Sequence, residues 1–205
     1  MKGTTLTIVI DYDMGNIHSV SKALEATGHT VTVQKNPDLS SGATHLVLPG
    51  VGAFGEGMAR LEQSGWVSAI REWVQSDRPF LGICLGMQLL FEESHEFGIH
   101  RGLGIFSGFV IPFDPARGKV PQIGWNEVQK CGDHPIWSGI PESPDLYFVH
   151  SYRVSTNDRS IILGETLYQD TYPSLVGRSR VTGMQFHPEK SQGIGLSFLK
   201  NFGAF

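Results

Sequence analysis

Short apolar runs alternate with one helical pattern at the start of the chain. The runs Leu6–Ile10, Val31–Val33 and His45–Leu48 have the length and composition of buried strands. Between the first two, apolar residues recur at helical spacing from Ile17 to Ala26, and Gly28 ends the pattern. This β-α-β order predicts a parallel sheet covered by helices, with ligands bound beyond the carboxyl ends of its strands.

Two further helices and a fourth strand are predicted next along the chain. Helical spacing of apolar residues extends over Gly57–Gln63 and Trp66–Val74. The run Phe80–Ile83 then predicts another buried strand, and the residues from Leu89 to Glu93 look helical. A strand, a tight turn and a helix are therefore expected around residue 84.

The second half of the chain has a different pattern. Apolar segments separated by Gly, Pro, Asn and Asp predict strands at Phe106–Pro112, Asn126–Gln129, Leu146–Val154, Ile161–Leu167 and Leu175–Phe186. We expect them to be antiparallel at least in part, followed by a short helix around residues 196–202. With no internal repeat or linker, the pattern predicts a single domain over residues 1–205.

Composition and charge narrow the classes of function. The chain has 205 residues, of which 40% are hydrophobic and 18% charged, as in ordinary globular proteins. Its net charge of −4 and the lack of a Lys/Arg-rich block argue against a nucleic-acid partner. No apolar run approaches the roughly 18 residues that a membrane span needs. Two cysteines, Cys84 and Cys131, give neither a disulfide framework nor a metal-ligand spacing. We therefore expect a cytoplasmic protein without a membrane partner, a metal or another cofactor.

The predicted turn around residue 84 carries a candidate nucleophile. Cys84 stands between Gly82 and Gly86, directly after a predicted strand. This arrangement is that of a nucleophile elbow, with cysteine in place of serine. Strand and helix approach closely at such a turn, which requires flanking residues without side chains. The start of the helix also favours the thiolate, the reactive form of the cysteine. The competing interpretation is a buried structural cysteine beside two incidental glycines.

A thiol nucleophile needs a base and a group that orients this base, and one segment offers both. Pro188 disfavours a helix at His187, so we expect extended backbone there. In extended backbone residues i and i+2 point to the same side, which places Glu189 next to the imidazole. No other histidine of the chain has a carboxylate at this spacing after a strand. A surface His-Pro turn is the alternative.

Donors for an oxyanion are also available in the sequence. The backbone N–H of Leu85 follows the nucleophile directly. A second donor is expected from the loop Gly50–Gly52, either Val51 or Gly52, because a glycine-rich loop can turn its N–H groups toward an anion. Gln88, four residues after Cys84, can reach back toward a polar ligand, and a solvated helix position is the alternative.

These motifs together resemble the triad-type (class I) glutamine amidotransferases. The matching strings are Gly82-Ile-Cys-Leu-Gly-Met-Gln88, Pro49-Gly-Val-Gly52 and His187-Pro-Glu189. Longer strings, Gln122-Ile-Gly-Trp-Asn126, Tyr147-Phe-Val-His-Ser-Tyr152 and Gln185-Phe-His-Pro-Glu-Lys-Ser191, are similar to the glutaminase subunits of imidazole glycerol phosphate synthase. The resemblance covers nearly the whole chain, and it implies a flavodoxin-like α/β fold.

The same resemblance implies an activity and a partner. Cys84 would attack the side-chain amide of glutamine, and His187 would protonate the departing ammonia. The ammonia would pass to a (β/α)8 cyclase subunit, which makes imidazole glycerol phosphate and AICAR in histidine biosynthesis. By motif position, the glutamine contacts would be Gly50, Gly52, Gln88, Ser151 and Tyr152. The surface toward the cyclase, in an expected heterodimer, would include Trp125, Asn126 and Lys190.

Three alternatives remain open at the level of the sequence. The chain could be an amidotransferase subunit that serves another acceptor, in a pyridoxal phosphate, purine or sugar-modifying pathway. It could be a stand-alone cysteine hydrolase that acts on γ-glutamyl bonds. It could also be a non-catalytic regulatory subunit that kept the fold, although the intact Cys, His and Glu set argues against this.

Overall fold

An eight-stranded mixed sheet forms the centre of the protein in a computed structural model, which describes residues 5–205. The strand order is β2-β1-β3-β4-β14-β13-β12-β9. The strands of this sheet are β1 (Thr5–Ile10), β2 (His29–Gln34), β3 (His45–Leu48), β4 (Phe80–Ile83), β9 (Gln129–Lys130), β12 (Ile162–Tyr168), β13 (Asp170–Arg178) and β14 (Val181–Met184). The first five strands in that order run parallel, and the last three join antiparallel.

Five helices and two smaller sheets complete the architecture. The helices are α1 (Ile17–Ala26), α2 (Phe54–Gln63), α3 (Trp66–Gln75), α4 (Leu85–Gln88) and α5 (Gln192–Phe202). The smaller sheets contain β5 (Phe91–Ser94), β6 (His100–Arg101), β7 (Phe106–Pro112), β8 (Gln122–Glu127), β10 (Asp145–His150) and β11 (Tyr152–Ser155). Strands β8 and β10 pair with each other, and the other four follow the order β11-β7-β5-β6. Among residues 5–205, no helix is both long and apolar enough to cross a membrane.

The apolar periodicity of the first half predicts its elements well. The first helix and the third and fourth strands have the predicted bounds, because each apolar face packs into a core on one side of the central sheet. The predicted helical character of residues 89–93 is wrong, because α4 ends at Gln88 and residues 89 and 90 form a turn. Phe91–Ser94 form β5, which pairs with β7, and only Phe91 and Ser94 of this strand are fully buried.

Three predicted strands in the second half each cover parts of two strands. The segment Asn126–Gln129 contains the end of β8 and the start of β9, which lie in different sheets. The segment Leu146–Val154 divides at Ser151 into β10 and β11, which lie in different sheets. The segment Leu175–Phe186 is a hairpin of β13 and β14, with Ser179 at positive φ in the turn. Apolar runs of this kind identify strand residues, but the pairing partner decides where each strand ends.

Two buried histidines connect the central sheet to α5. The rings of His29 and His45 pack edge to face, and both contact the ring of Phe202. His29 bonds to Thr7 Oγ1 at 2.7 Å and to the Leu199 carbonyl at 3.2 Å. Burial, with a contribution from His29, lowers the pKa of His45 to about 4. Both rings are therefore neutral at pH 7.

The stability of the protein is expected to fall in acid because of these rings. Between pH 6.5 and 4, an unfolded chain binds a proton at residue 45 that the folded chain excludes, so the free energy of unfolding decreases as pH falls. His45→Phe keeps an aromatic contact with Phe202 but cannot bind a proton. In this variant, the decrease in the free energy of unfolding that is due to residue 45 should disappear. Urea unfolding at pH 4.5, 5.5 and 7 measures the slopes, and equal slopes in both proteins would contradict the prediction.

Candidate active site

Cys84 occupies a strained turn between β4 and α4. Its φ of 54° and ψ of −110° lie in a region that residues with a side chain rarely adopt. The turn is possible because its neighbours are glycines. A Cβ on Gly86 would overlap the Leu48 carbonyl oxygen, and one on Gly82 would lie 2.8 Å from the amide nitrogen of Met87. The structure thus confirms the strand and the turn predicted around the cysteine, and it places the short helix directly after Cys84 rather than at residues 89–93.

Strand pairing brings the two motifs of the site together. Strands β4 and β14 are parallel neighbours, and Ile83 pairs with Met184. The chain therefore leaves both strands at the same edge of the sheet, where the Cys84 N–H donates to the Met184 carbonyl at 2.7 Å. The residues after β14 continue into the segment that holds His187. Two motifs separated by about 100 residues in the sequence consequently meet at one point.

His187 and Glu189 form a buried pair beside the elbow. His187 Nδ1 lies 2.8 Å from Glu189 Oε1, and the two side chains are 3% and 1% exposed. His187 has the extended backbone that Pro188 predicts, with φ −95° and ψ 98°. The extended segment does not reach Glu189, however, since residues 188–190 form a 3-10 turn. This turn, rather than strand alternation, directs the carboxylate to the ring.

The electrostatics of His187 favour a proton on its ring. Burial by itself lowers the pKa of this histidine, but the neighbouring Cys84 sulfur and the Glu189 carboxylate outweigh burial and raise it to about 10. Nε2 of His187 has no hydrogen-bond partner among the residues that the structure describes. A protonated ring with one free N–H beside a sulfur can hold a thiolate, and it can later deliver the proton to a leaving group.

One predicted oxyanion donor, the N–H of Leu85, is not free in this structure. The N–H of Leu85 donates to the carbonyl of Gly50 at 3.3 Å. Because carbonyl and N–H of a trans peptide point in opposite directions, the N–H of Val51 is turned away from Leu85. Gly52 has a φ of +98°, a conformation that glycine adopts without strain. The loop therefore presents an acceptor where an oxyanion would need donors.

A cavity of about 440 Å³ opens beside Cys84. This volume is within the range of small-molecule sites. The cavity is lined by residues from several motifs, namely Val51, Gly52, Cys84, Leu85, Gln88, Glu96, Phe97, Pro121, Val149, His150, Ser151 and Tyr152. Of the predicted glutamine contacts, only Gly50 is absent from this lining. It is buried at the start of the loop, next to Tyr12 and Leu85.

Two side chains of the cavity lining, Gln88 and Glu96, have an oxygen that can accept from a cationic ligand. Both donors of the Gln88 amide are in use, because its Nε2 donates to the Tyr152 carbonyl at 3.0 Å and to Gln185 Oε1 at 2.9 Å. Only the Gln88 carbonyl oxygen is left for a ligand. Glu96, which is 9% exposed, accepts from the Phe54 N–H at 2.6 Å through Oε2. Together they can bind a cation.

Glu96 was not predicted from the sequence. It lies in the loop after β5, and nothing in the sequence distinguishes it from the nearby Glu92 and Glu93. Only the tertiary structure shows that this loop returns to the elbow. His150 also lines the cavity, but burial lowers its pKa to about 4, and its nitrogens contact the Tyr152 carbonyl and the Tyr172 hydroxyl. His150 is therefore not available as a base for the cysteine.

Comparison with known proteins identifies the family. Residues 8–204 match the family model described as glutamine amidotransferase class-I. The chain belongs to the class-I glutamine amidotransferase family. Its similar relatives include the imidazole glycerol phosphate synthase subunit HisH of Aquifex aeolicus, which is 51% identical over 96% of this chain and 95% of the relative. The subunit of the same name from Desulfitobacterium hafniense (strain DSM 10664 / DCB-2) is 46% identical over 95% of this chain and 92% of the relative.

Solved structures support the fold of this class-I amidotransferase. A protein described as PurLQS from Thermotoga maritima has a TM-score of 0.74 at 18% identity, covering 98% of this chain and 96% of that one. A glutamine amidotransferase from the same organism has a TM-score of 0.66 at 18% identity, covering 91% of this chain and 77% of that one. At such low identity the likeness concerns the fold alone. The predicted class-I fold is confirmed.

An exposed aromatic patch lies on the two-stranded sheet of this amidotransferase. Trp125 pairs with Tyr147 across β8 and β10, and their rings meet edge to face at 6.0 Å. Trp125 is 48% exposed, so it is not an ordinary core aromatic. Lys190 Nζ lies 5.8 Å from the centre of the Tyr147 ring, and Asn126 donates to the Leu167 carbonyl at 3.1 Å. Trp125 and Lys190 thus both lie beside Tyr147, whereas Asn126, the next residue on β8, points to the other face of the strand.

Proposed function

We propose that this class-I amidotransferase is the glutaminase subunit of an imidazole glycerol phosphate synthase. The observation that carries the proposal is the buried His187–Glu189 pair beside a strained cysteine. The nearly full-length similarity to subunits of that name supports the choice of synthase. We further propose that residues 1–205 act as a single domain in the cytoplasm.

The reaction follows from the positions of the three side chains. The Cys84 sulfur attacks the side-chain amide carbon of glutamine, and an S–C bond forms. As the C–N bond breaks, the protonated His187 gives its proton to the departing nitrogen, which leaves as ammonia. Water then attacks the glutamyl thioester, with neutral His187 as base, and the C–S bond breaks to release glutamate. Glu189 orients the ring and stabilises its charge throughout.

Glutamine recognition uses the two acceptors in the cavity. A glutamine held by its side-chain amide at Cys84 extends its amino-acid end into the lining formed by Gly52, Ser151 and Tyr152. The α-ammonium then meets the Gln88 carbonyl oxygen and the Glu96 carboxylate. A charge-assisted contact of this kind is worth more than one between neutral groups, because the side chains of Gln88 and Glu96 are largely buried.

Substitution of Glu96 tests this assignment. We expect Glu96→Gln to raise KM for glutamine about tenfold or more, with kcat changed much less, because the charge contributes to binding of the free amino acid. Steady-state glutaminase assays on the activated protein measure both constants. Glu93→Gln is the matched control, since Glu93 bonds to His95 outside the cavity, and its KM should not change. An unchanged KM in Glu96→Gln would remove this residue from the site.

The Gly50–Val51 peptide is proposed as the switch of the glutaminase. In the structure of the isolated chain, the N–H of Leu85 donates a hydrogen bond to the Gly50 carbonyl and is therefore not available to an oxyanion. Rotation of this one peptide would free Leu85 and turn the N–H of Val51 toward the substrate, so that two donors face the oxyanion. We infer that binding of a partner with its acceptor ligand drives this rotation. Gly52 contributes the backbone freedom that the rotation requires.

The partner proposed for this surface is a (β/α)8 cyclase subunit. The patch with Trp125 has a further exposed apolar side chain, since Ile123, two residues earlier on β8 and on the same face, is 52% exposed. Apolar and aromatic residues at this exposure are typical of the centre of a protein interface. Lys190 supplies a polar contact at its margin. Ammonia released at Cys84 would then pass to the cyclase without protonation in bulk water.

Activation by the partner is the experiment that tests the function. We expect glutamine hydrolysis by the isolated chain to be at least about a hundredfold slower than in the complex with the cyclase and its formimino ribonucleotide, since the loss of even one of the two oxyanion donors costs that much. Glutamate release by both samples measures the ratio, and product formation from the ribonucleotide identifies the acceptor. Equal rates with and without the partner would favour a stand-alone hydrolase and contradict the proposed switch.

A further inference from the structure

Gln185 is a fully buried side chain that touches the nucleophile. It follows β14 directly, and its backbone N–H donates to the Ser174 carbonyl at 2.9 Å. The side chain has no exposed surface, and its Nε2 lies 3.8 Å from the sulfur of Cys84. A buried amide is costly unless its groups are hydrogen-bonded, so the two ends of this amide need an explanation.

A backbone carbonyl determines which end of the Gln185 amide faces the sulfur. The Tyr152 carbonyl can only accept, so the Gln88 atom 3.0 Å from it is the NH2 group. The same NH2 lies 2.9 Å from a terminal atom of Gln185, which must then be the carbonyl oxygen. The remaining end of Gln185 is an NH2 group, and it is directed at Cys84. The NH2 group of Gln88 thus donates to the Tyr152 carbonyl and to the Gln185 carbonyl oxygen, and the NH2 group of Gln185 faces the sulfur.

We propose that Gln185 is a catalytic residue that stabilises negative charge on the Cys84 sulfur. The sulfur is anionic before it attacks glutamine, and again when the C–S bond of the thioester breaks and sulfur keeps the electron pair. A fixed N–H donor lowers the energy of the anion in both states. His187 loses its positive charge when it gives its proton to the departing nitrogen, whereas the amide of Gln185 remains a donor throughout the reaction. This role rests on the proposed function.

The same chain of hydrogen bonds connects the nucleophile to the substrate pocket. Gln88 offers its carbonyl oxygen to the cavity and its NH2 to Gln185. A cation bound at the Gln88 oxygen polarises that amide, which strengthens the bond to Gln185 and, in turn, the donor at the sulfur. Binding of the correct amino acid therefore increases the stabilisation of the thiolate.

Alkylation of Cys84 by iodoacetamide tests the donor without requiring turnover. We expect Gln185→Met, which keeps the length but has no N–H, to slow alkylation at pH 7 about fivefold to tenfold. A Cys131→Ser background removes the second thiol, and mass spectrometry of the labelled peptide gives the rate. The matched control is Gln122→Met, because Gln122 is a buried glutamine that bonds to Tyr172 and does not touch the sulfur. Its alkylation rate should stay within twofold of the parent.

Turnover provides the second readout. In the complex, kcat of Gln185→Met should fall by a similar factor while KM stays within about threefold. If Gln185→Met does not fold, Gln185→Glu replaces it, since it keeps the acceptor for Gln88 and puts a carboxyl oxygen at the sulfur. Unchanged alkylation and kcat in a folded variant would overturn the inference and indicate a structural glutamine. If alkylation slows but the parent complex never hydrolyses glutamine, the donor stands and the proposed function fails.

Discussion

Replacement of Cys84 by alanine is expected to lower kcat for glutamine hydrolysis by a factor of at least about 10⁴. Removal of the nucleophile from a catalytic triad leaves only the contribution of binding and oxyanion stabilisation. The thioester cannot form without the sulfur, and no other thiol can replace it because Cys131 lies in another part of the protein, near Glu165. Glutamate release by the complex, measured with saturating glutamine, gives the factor.

The complex with Cys84→Ala also tests whether the loss concerns chemistry alone. With ammonium salt in place of glutamine, synthesis of imidazole glycerol phosphate should continue, because the proposed cyclase partner would need only ammonia. Cys131→Ser is the matched control and should keep both activities. Loss of the ammonia-dependent reaction would show that the substitution disturbs the assembly. Retained glutamine hydrolysis in Cys84→Ala would remove Cys84 as nucleophile and revive the interpretation of a structural cysteine.

Replacement of Gly86 by alanine is expected to have the largest effect on folding. The added Cβ would overlap the carbonyl oxygen of Leu48, which belongs to the centre of the sheet. A backbone atom cannot move aside as a flexible side chain can, so the elbow itself must shift. We expect a loss of more than about 3 kcal/mol in the free energy of unfolding, a large part of the roughly 5–15 kcal/mol that a domain possesses.

Gly193→Ala is the matched control for this loss of stability. Gly193 lies within α5, its backbone has no positive φ, and a Cβ built there meets nothing within 4 Å. Alanine is the better helix former, so this variant should be as stable as the parent or slightly more stable. Urea unfolding of the three proteins measures the difference. Equal stability of Gly86→Ala and Gly193→Ala would mean that helix and strand at the elbow are less tightly packed than the structure indicates.

Family membership and the geometry of the site bear on the three alternatives that the sequence leaves open. Family membership and the relative that is 51% identical establish a class-I amidotransferase. The hydrogen bond from the Leu85 N–H to the Gly50 carbonyl argues against a stand-alone hydrolase, because such an enzyme would need its oxyanion donors free. A regulatory subunit without catalysis would have no reason to keep a strained cysteine next to a protonated histidine.

The sequence by itself determined the parts of the protein that depend on local chemistry. Helical and strand periodicity placed α1, β3 and β4, because their apolar faces follow from the order of residues. The glycines beside Cys84 revealed the elbow, since only a close approach of backbone requires them in that pattern. Pro188 likewise indicated the extended backbone at His187.

The tertiary structure decided everything that depends on contacts between distant segments. Strand pairing divided the run at Ser151, and it brought Glu96 to the cavity, although neither has a signal of its own in the sequence. The polarity of the Gln185 amide follows from the Tyr152 carbonyl, a group 33 residues earlier. The orientation of the Gly50 carbonyl depends on Leu85 across the site. Residue order specifies which groups are available, whereas long-range packing determines which of them meet, since hydrogen bonds act only at a few ångströms.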